Sequence, residues 1–180
     1  MNAVIKAEVQ RLLEAGHIQE VQYSDWLCNV VLVEKSPGKW RMCNDFTSLN
    51  KFCPKDPYPL PRIDQLVDST AGCSLLSFMD AFQGFYQIRM ASEDVAKTAF
   101  VTREGIYCFK VMPFGLRNAG ATYQRLVNRM FREEIGKTME VYVDDMLVKS
   151  EKEVDHIRHL QRCFDILRKY HMKLIGRAHV

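Results

Sequence analysis

Three aspartates stand where their neighbours give them a chemical use. Asp80 closes the nearly unbroken apolar run SLLSFMD (residues 74–80), and Asp144 and Asp145 interrupt the apolar stretch EVYVDDMLVK. A short apolar run of that kind reads as a buried strand, so Asp80 should emerge at a strand's end. Two short β runs folded about an acidic pair read as a hairpin with Asp144 and Asp145 at its tip. If the strand and hairpin share one sheet, the three carboxylates converge at one edge. Hard carboxylate oxygens suit magnesium, which binds one or two carboxylates together with water and substrate phosphates. Two such ions about 4 Å apart can activate an attacking hydroxyl and stabilise a leaving pyrophosphate. Each signal alone also has a plainer meaning, since Asp-Asp is a common turn pair and a strand-terminal Asp often caps a helix or starts a loop. The joint occurrence raises the metal reading, and the residues by themselves leave both open.

The elements that must position these acids follow from periodicity. Val4, Ile5, Val9, Leu12 and Leu13 recur at helical spacing, with Gly16 as a stop. NVVLVEK and KWRMCNDF flank Pro37-Gly38, which predicts a hairpin. Four prolines between residues 52 and 61 predict an extended connector or hinge, followed by a short helix over 62–69. GIYCFKVM is a further strand. Leu126, Val127, Met130, Phe131 and Ile135 form the stripe of a helix over 119–135 that Gly136 ends. A last helix over 154–170 carries Ile157, Leu160, Phe164 and Leu167 on one face. Strands and helices interleave without a βαβ repeat, so the fold class is α+β.

Composition narrows the class without fixing a function. At 180 residues, 47% hydrophobic and 26% charged, the chain has the makeup of a globular domain. No apolar run approaches the roughly 20 residues that span a bilayer, and the amphipathic start, MNAVIKAEVQRLLEAGHI, does not resemble a secretion signal. The expectation is an intracellular, cytoplasmic protein without a membrane partner. Net charge of +3 permits a polyanionic partner without demanding one. The six cysteines (Cys28, Cys43, Cys53, Cys73, Cys108, Cys163) form no C-x-x-C pair and read as free thiols. His156, His159 and Cys163 share one face of the last helix. They either ligate zinc or a related ion, for which no fourth ligand is evident, or sit on a solvated shoulder with Cys163 buried.

YVDD (Tyr142 to Asp145) does not stand alone. WLCNVVLVEK, KWRMCNDFTSLN, DPYPLPRIDQLVD, FMDAFQGFYQIRM, KTAF, VMPFGLRNAGATYQRLVN and VYVDDMLVKS follow one another in order. Over residues 8–174 this series closely resembles the reverse transcriptase of gypsy-type long-terminal-repeat retrotransposons. The resemblance implies a right-hand polymerase: fingers over 1–55 and 88–118, and a palm over 56–87 and 119–180 whose antiparallel sheet is backed by helices. It implies RNA-directed DNA polymerase activity with two Mg2+ ions, or Mn2+ in their place, on Asp80, Asp144 and Asp145, with the Ala81 carbonyl as a further metal contact. By the same resemblance Arg41 lies on the incoming triphosphate, with Lys35 a second candidate. Phe85 packs where a 2′-hydroxyl would sit, Phe114 lies near base and sugar, and Tyr142 and Val143 touch the primer end. For Phe85 and Phe114 simple core packing is the competing role. The partners implied are an RNA or DNA template–primer duplex, deoxynucleotides and other domains of a polyprotein, with a virus-like particle as one setting.

The chain also departs from that pattern. Asn44 stands where the family usually carries an apolar residue, so one hairpin position should pack less well. The closing residues IGRAHV replace the usual continuation, so a thumb is expected to be missing. Two other readings therefore stand beside the polymerase: a decayed, truncated copy without activity, and a non-catalytic nucleic-acid-binding module.

Overall fold

The computed structural model describes residues 2–175; of the divergent closing residues, 176–180 lie outside this range. The chain divides into two compact units, one of residues 1–55 and 85–119, the other of 56–84 and 120–180.

In the first unit, helix α1 (Asn2–Glu14) is followed by strands β1 (Ile18–Val21), β2 (Cys28–Ser36) and β3 (Lys39–Asn44) and by helix α2 (Thr47–Phe52). Strands β5 (Phe100–Val101) and β6 (Ile106–Phe109) complete a five-stranded sheet in the order β1-β6-β5-β2-β3. Only the β2–β5 pairing is parallel. The predicted hairpin is β2–β3, whose turn holds Gly38 at φ +76°. Val9 and Leu12 of α1 pack with Ile18, Phe46, Phe100, Tyr107 and Phe109 in one apolar cluster. The sequence pattern missed β1, α2, β5 and the short helix α4 (Ser92–Val95), all too brief to show a period. Asn44, at the end of β3, has its Oδ1 buried without a hydrogen-bond partner.

Residues 85–87 belong to this first unit, whereas the sequence reading grouped them with 56–84. The cause is the 3-10 turn Gly84–Gln87, which delivers Tyr86 to the ring of Phe109, 6.1 Å away, and to His17, 4.9 Å away.

The second unit is built on a three-stranded antiparallel sheet in the order β4-β8-β7, from β4 (Leu75–Asp80), β7 (Met139–Tyr142) and β8 (Asp145–Ser150). Helices α3 (Ile63–Asp68), α5 (Ala119–Met130) and α6 (Glu153–Lys169) complete it. No regular element occupies 53–62, as its prolines require. Met139, Val141, Met146 and Val148 are buried on the sheet face toward α6, together with Cys163 and Leu167. Side chains alternate across a strand, so Leu76, Phe78 and Asp80 line the opposite face beside Leu147 and Asp145. There β4 is an edge strand, and Leu76 and Phe78 are exposed. The apolar run that reads as a buried strand is thus covered on one face only.

Helix α6 corrects a second expectation. Its buried residues are His156, Cys163 and Leu167, while Ile157 is 80% exposed. His156 is neither a metal ligand nor solvated: its Nε2 bonds Ser77 of β4 at 2.8 Å and its Nδ1 bonds Ser150 of β8 at 2.8 Å. Ser150 also bonds His159 Nδ1 at 2.7 Å. Leu167 of the apolar stripe is still buried and Leu160 and Phe164 are half-buried, so the inward face is turned by only part of one residue's roughly 100°, toward the two polar anchors on the sheet.

A buried ion pair fixes β7 to β8. Lys149 Nζ lies 2.8 Å from Glu140 Oε1 and donates to the Ser69 carbonyl at 2.7 Å. Removing one partner of such a pair costs about 3–5 kcal/mol, because the other charge stays buried and uncompensated. Glu140→Gln keeps an acceptor for the ammonium, so a loss of about 2 kcal/mol is expected by urea unfolding. A midpoint equal to the parent's would show that Lys149 is hydrated rather than held by Glu140.

Among the described residues, no helix is long and apolar enough to cross a membrane, and all six cysteines are free.

Candidate active site

The register of β4 on β8 sets Asp80 directly opposite Asp145, so these two acids are cross-strand partners. Asp144 precedes Asp145 in the turn between β7 and β8, and its carbonyl accepts from the Ala81 backbone N–H at 3.2 Å. The end of β4 is flanked in turn by residues 173–175: Phe82 N–H donates to the Lys173 carbonyl at 3.0 Å and Ile175 N–H to the Asp80 carbonyl at 2.9 Å. One edge of one sheet therefore carries all three acids, as the apolar strands around them implied.

The turn itself is strained. Val143 sits at φ +49°, a left-handed conformation that a β-branched residue rarely adopts. Two residues outside the site set expected from the sequence surround it. Gln124 of α5 is fully buried; its Oε1 accepts from Val143 N–H at 2.8 Å and its Nε2 donates to the Val141 carbonyl at 3.1 Å. Gly84 lies against Asp144, where a Cβ would collide with the carboxylate Oδ1 and press on the buried Tyr123 ring, 3.0 Å away. Helical position alone could not mark Gln124, since its contacts are to the backbone of a strand 17 and 19 residues away.

Asp144 is the acid whose surroundings disfavour its charge most clearly. Burial, then the charges of Asp80 and Asp145, push the Asp144 carboxyl up to about 6. Burial, with Asp144 and Asp80 adding to it, also raises the Tyr123 hydroxyl. Asp144 Oδ1 is buried without a hydrogen-bond partner. An orphaned anionic oxygen among like charges is the donor set a hard divalent cation relieves, so these residues fit such an ion. Among the described residues, no three His, Cys, Asp or Glu side chains form a ready-made metal cage. The fit therefore rests on the orphaned Asp144 oxygen and on the cross-strand pair Asp80 and Asp145.

The remaining candidates lie in the first unit. Lys35 on β2 and Arg41 on β3 are exposed, and Arg41 pairs in register with Val33. Phe85 is 7% exposed and meets Phe114 edge to face, with centroids 4.6 Å apart, while Phe114 is 59% exposed. The loop bearing Phe114 is clasped by Asn50, which donates to the Gly115 carbonyl at 2.8 Å and accepts from Arg117 N–H at 2.8 Å. Tyr142 ends β7, and Ala81 is buried after β4.

Comparison with known proteins completes the picture. Residues 33–175 match the family described as reverse transcriptase (RNA-dependent DNA polymerase). The chain is 35% identical over 175 residues to the retrovirus-related Pol polyprotein from transposon 297 of Drosophila melanogaster, covering 94% of this chain and 16% of that protein. It is 34% identical over 177 residues to the corresponding polyprotein from transposon gypsy of the same fly, covering 94% of this chain and 17% of the relative. The chain thus spans about a sixth of the length of these relatives. In fold it matches the foamy viral protease-reverse transcriptase solved in complex with an RNA/DNA hybrid. The TM-score is 0.87 at 22% identity, covering 96% of this chain and 23% of that one.

Proposed function

The chain is a reverse transcriptase domain, belonging to the reverse transcriptase (RNA-dependent DNA polymerase) family, and from that premise we propose that it joins deoxynucleotides to a primer 3′-hydroxyl at the edge formed by Asp80, Asp144 and Asp145. The observation that carries the proposal is the buried, unpartnered Asp144 Oδ1, set beside the cross-strand acids Asp80 and Asp145. The family implies dependence on a divalent metal; we take it to be Mg2+, as two ions, with Mn2+ a substitute. Bound there, the metal would lower the pKa of the attacking hydroxyl and neutralise charge on the leaving pyrophosphate.

The chain's own residues do the rest. Asp80, Asp144 and Asp145 supply fixed anionic oxygens, and the Ala81 carbonyl adds a neutral one. Arg41, always charged and planar, grips phosphate oxygens, with Lys35 as a second contact. The left-handed turn at Val143, with Tyr142 before it, supports the primer terminus. Phe85, braced by Phe114, closes the space beside the sugar's C2. In this reading the first unit is the fingers and the second the palm, and the partner is an RNA or DNA template–primer duplex.

Primer extension on a homopolymer RNA template with Mg2+ or Mn2+ tests the proposal. Duplex affinity rests on phosphate contacts that fade steeply with salt, and a chain of net charge +3 offers few of them. Short, distributive products at low salt and little extension near about 150 mM are therefore expected. No incorporation by the parent chain at low salt with either metal would sink the proposal for this chain. Sugar choice gives a finer check. Phe85→Val should lower the preference for deoxynucleotides over ribonucleotides by about tenfold or more, with deoxynucleotide incorporation affected less. Unchanged discrimination would leave Phe85 as packing for Phe114.

A further inference from the structure

Holding Asp144 in place requires a backbone that does not relax, and the turn's conformation is not one its own residues prefer. Val143 has no glycine's freedom at φ +49°. Something outside the turn must hold it.

We infer that Gln124 is a positioning residue that locks the left-handed turn at Val143 and thereby aims Asp144. Its amide grips both sides of the turn, accepting from Val143 N–H at 2.8 Å and donating to the Val141 carbonyl at 3.1 Å. The amide's orientation is unambiguous, because a backbone N–H can only donate and a carbonyl can only accept. The second Nε2 proton goes to Asn128 Oδ1 at 2.9 Å, one turn along α5, and Asn128 Nδ2 donates to the Tyr58 hydroxyl at 2.8 Å. Tyr58 is itself fixed: Arg125 lies 4.7 Å over its ring and forms a two-pronged 2.7 Å contact with Asp56, which accepts from Tyr58 N–H. A continuous polar chain thus runs from the proline-rich connector through α5 to the turn. Gln124 is fully buried, so water does not compete for these bonds.

Two measurements on the 180-residue chain decide the matter. Gln124→Met keeps the side chain's length and removes every hydrogen bond. The Val143 amide should then exchange with solvent at least tenfold faster, and Mn2+ should bind at least tenfold more weakly, as read by electron paramagnetic resonance. Gln124→Glu keeps the acceptor for Val143 N–H and should restore most of that amide's protection. Should Gln124→Met fail to fold, Asn128→Leu removes only the outer anchor and should speed Val143 exchange by a smaller factor. Val143 exchange at the parent rate in Gln124→Met, or in Asn128→Leu should that be the variant that folds, overturns the assignment. The link to Asp144 rests on the active-site reading above, and the two can fail separately. Mn2+ bound as tightly by Asp144→Asn as by the parent would refute the metal site, while amide exchange, which needs no metal, would still decide whether Gln124 locks the turn.

Discussion

Asp144→Asn should abolish nucleotide incorporation and, with metal removed by a chelator, make the protein more stable at neutral pH. The reason is that burial, helped by Asp80 and Asp145, raises this carboxyl from 3.8 to about 6. A folded-state pKa above the unfolded one means that the native state holds the proton more tightly. The stabilisation from the protonated acid is complete below about pH 4 and is lost as the pH rises through about 6. Above that the ionised carboxylate is a cost that asparagine does not carry. Taken in full the shift corresponds to roughly 3 kcal/mol. The carboxyl is only half buried and solvent screens it, so about 1 kcal/mol is the expected gain. Parent and variant should thus unfold alike near pH 4 and diverge toward pH 7. Magnesium should reverse the order by stabilising the parent through mass action and the variant much less. Activity should fall by on the order of 10³-fold or more, as for loss of a group that stabilises developing charge. A parent and variant equally stable at pH 7 under chelation would show that Asp144 is solvated and uncoupled from its neighbours.

Gly84→Ala should be nearly as damaging to activity while leaving the fold intact. Gly84 does not need a left-handed backbone, since it is absent from the positive-φ residues, so alanine adds only a methyl group. That methyl would overlap Asp144 Oδ1 and approach Tyr123, which is fully buried and cannot yield. The carboxylate, as the free end of a side chain, must swing away. A displacement of about 1 Å from a reactive arrangement costs on the order of 100-fold in rate, and that is the expected loss in single-nucleotide incorporation. Gly120→Ala is the control, because nothing lies within 4 Å of its added Cβ. There, in α5, alanine should leave activity alone and stabilise by up to about 1 kcal/mol. If Gly84→Ala incorporates nucleotides at the parent rate, the carboxylate has room that the structure does not show.

Much of this site was legible before any coordinates. Apolar strands ending in Asp80 and folded about Asp144-Asp145 could only expose those acids at strand ends, because period-two patterning and a hairpin leave no other place for them. The β2–β3 hairpin, the extended connector over 53–62 and the three long helices followed from equally local signals, namely apolar spacing, Pro-Gly and a cluster of prolines. The family resemblance, carried by whole motifs in order, named the chemistry that spacing alone left open between a metal site and a turn.

Only the tertiary structure decided the rest, because the remaining signals are not local. The pairing of Asp80 with Asp145 is a register between strands 65 residues apart in sequence. That β4 buries one face rather than two depends on its place at the sheet edge. The rotation of α6, which buries His156 and exposes Ile157, depends on Ser77 and Ser150 waiting on the sheet. Neither the contacts of Gln124 nor the approach of Gly84 to Asp144 can be read from the sequence, where one is a polar residue in a helix and the other a glycine next to an aromatic. Their roles exist only where folding brings the Val143 turn against both of them. Residue type and spacing determine which groups are available for chemistry, whereas long-range contacts determine which backbone strain is held and which oxygen is left without a partner.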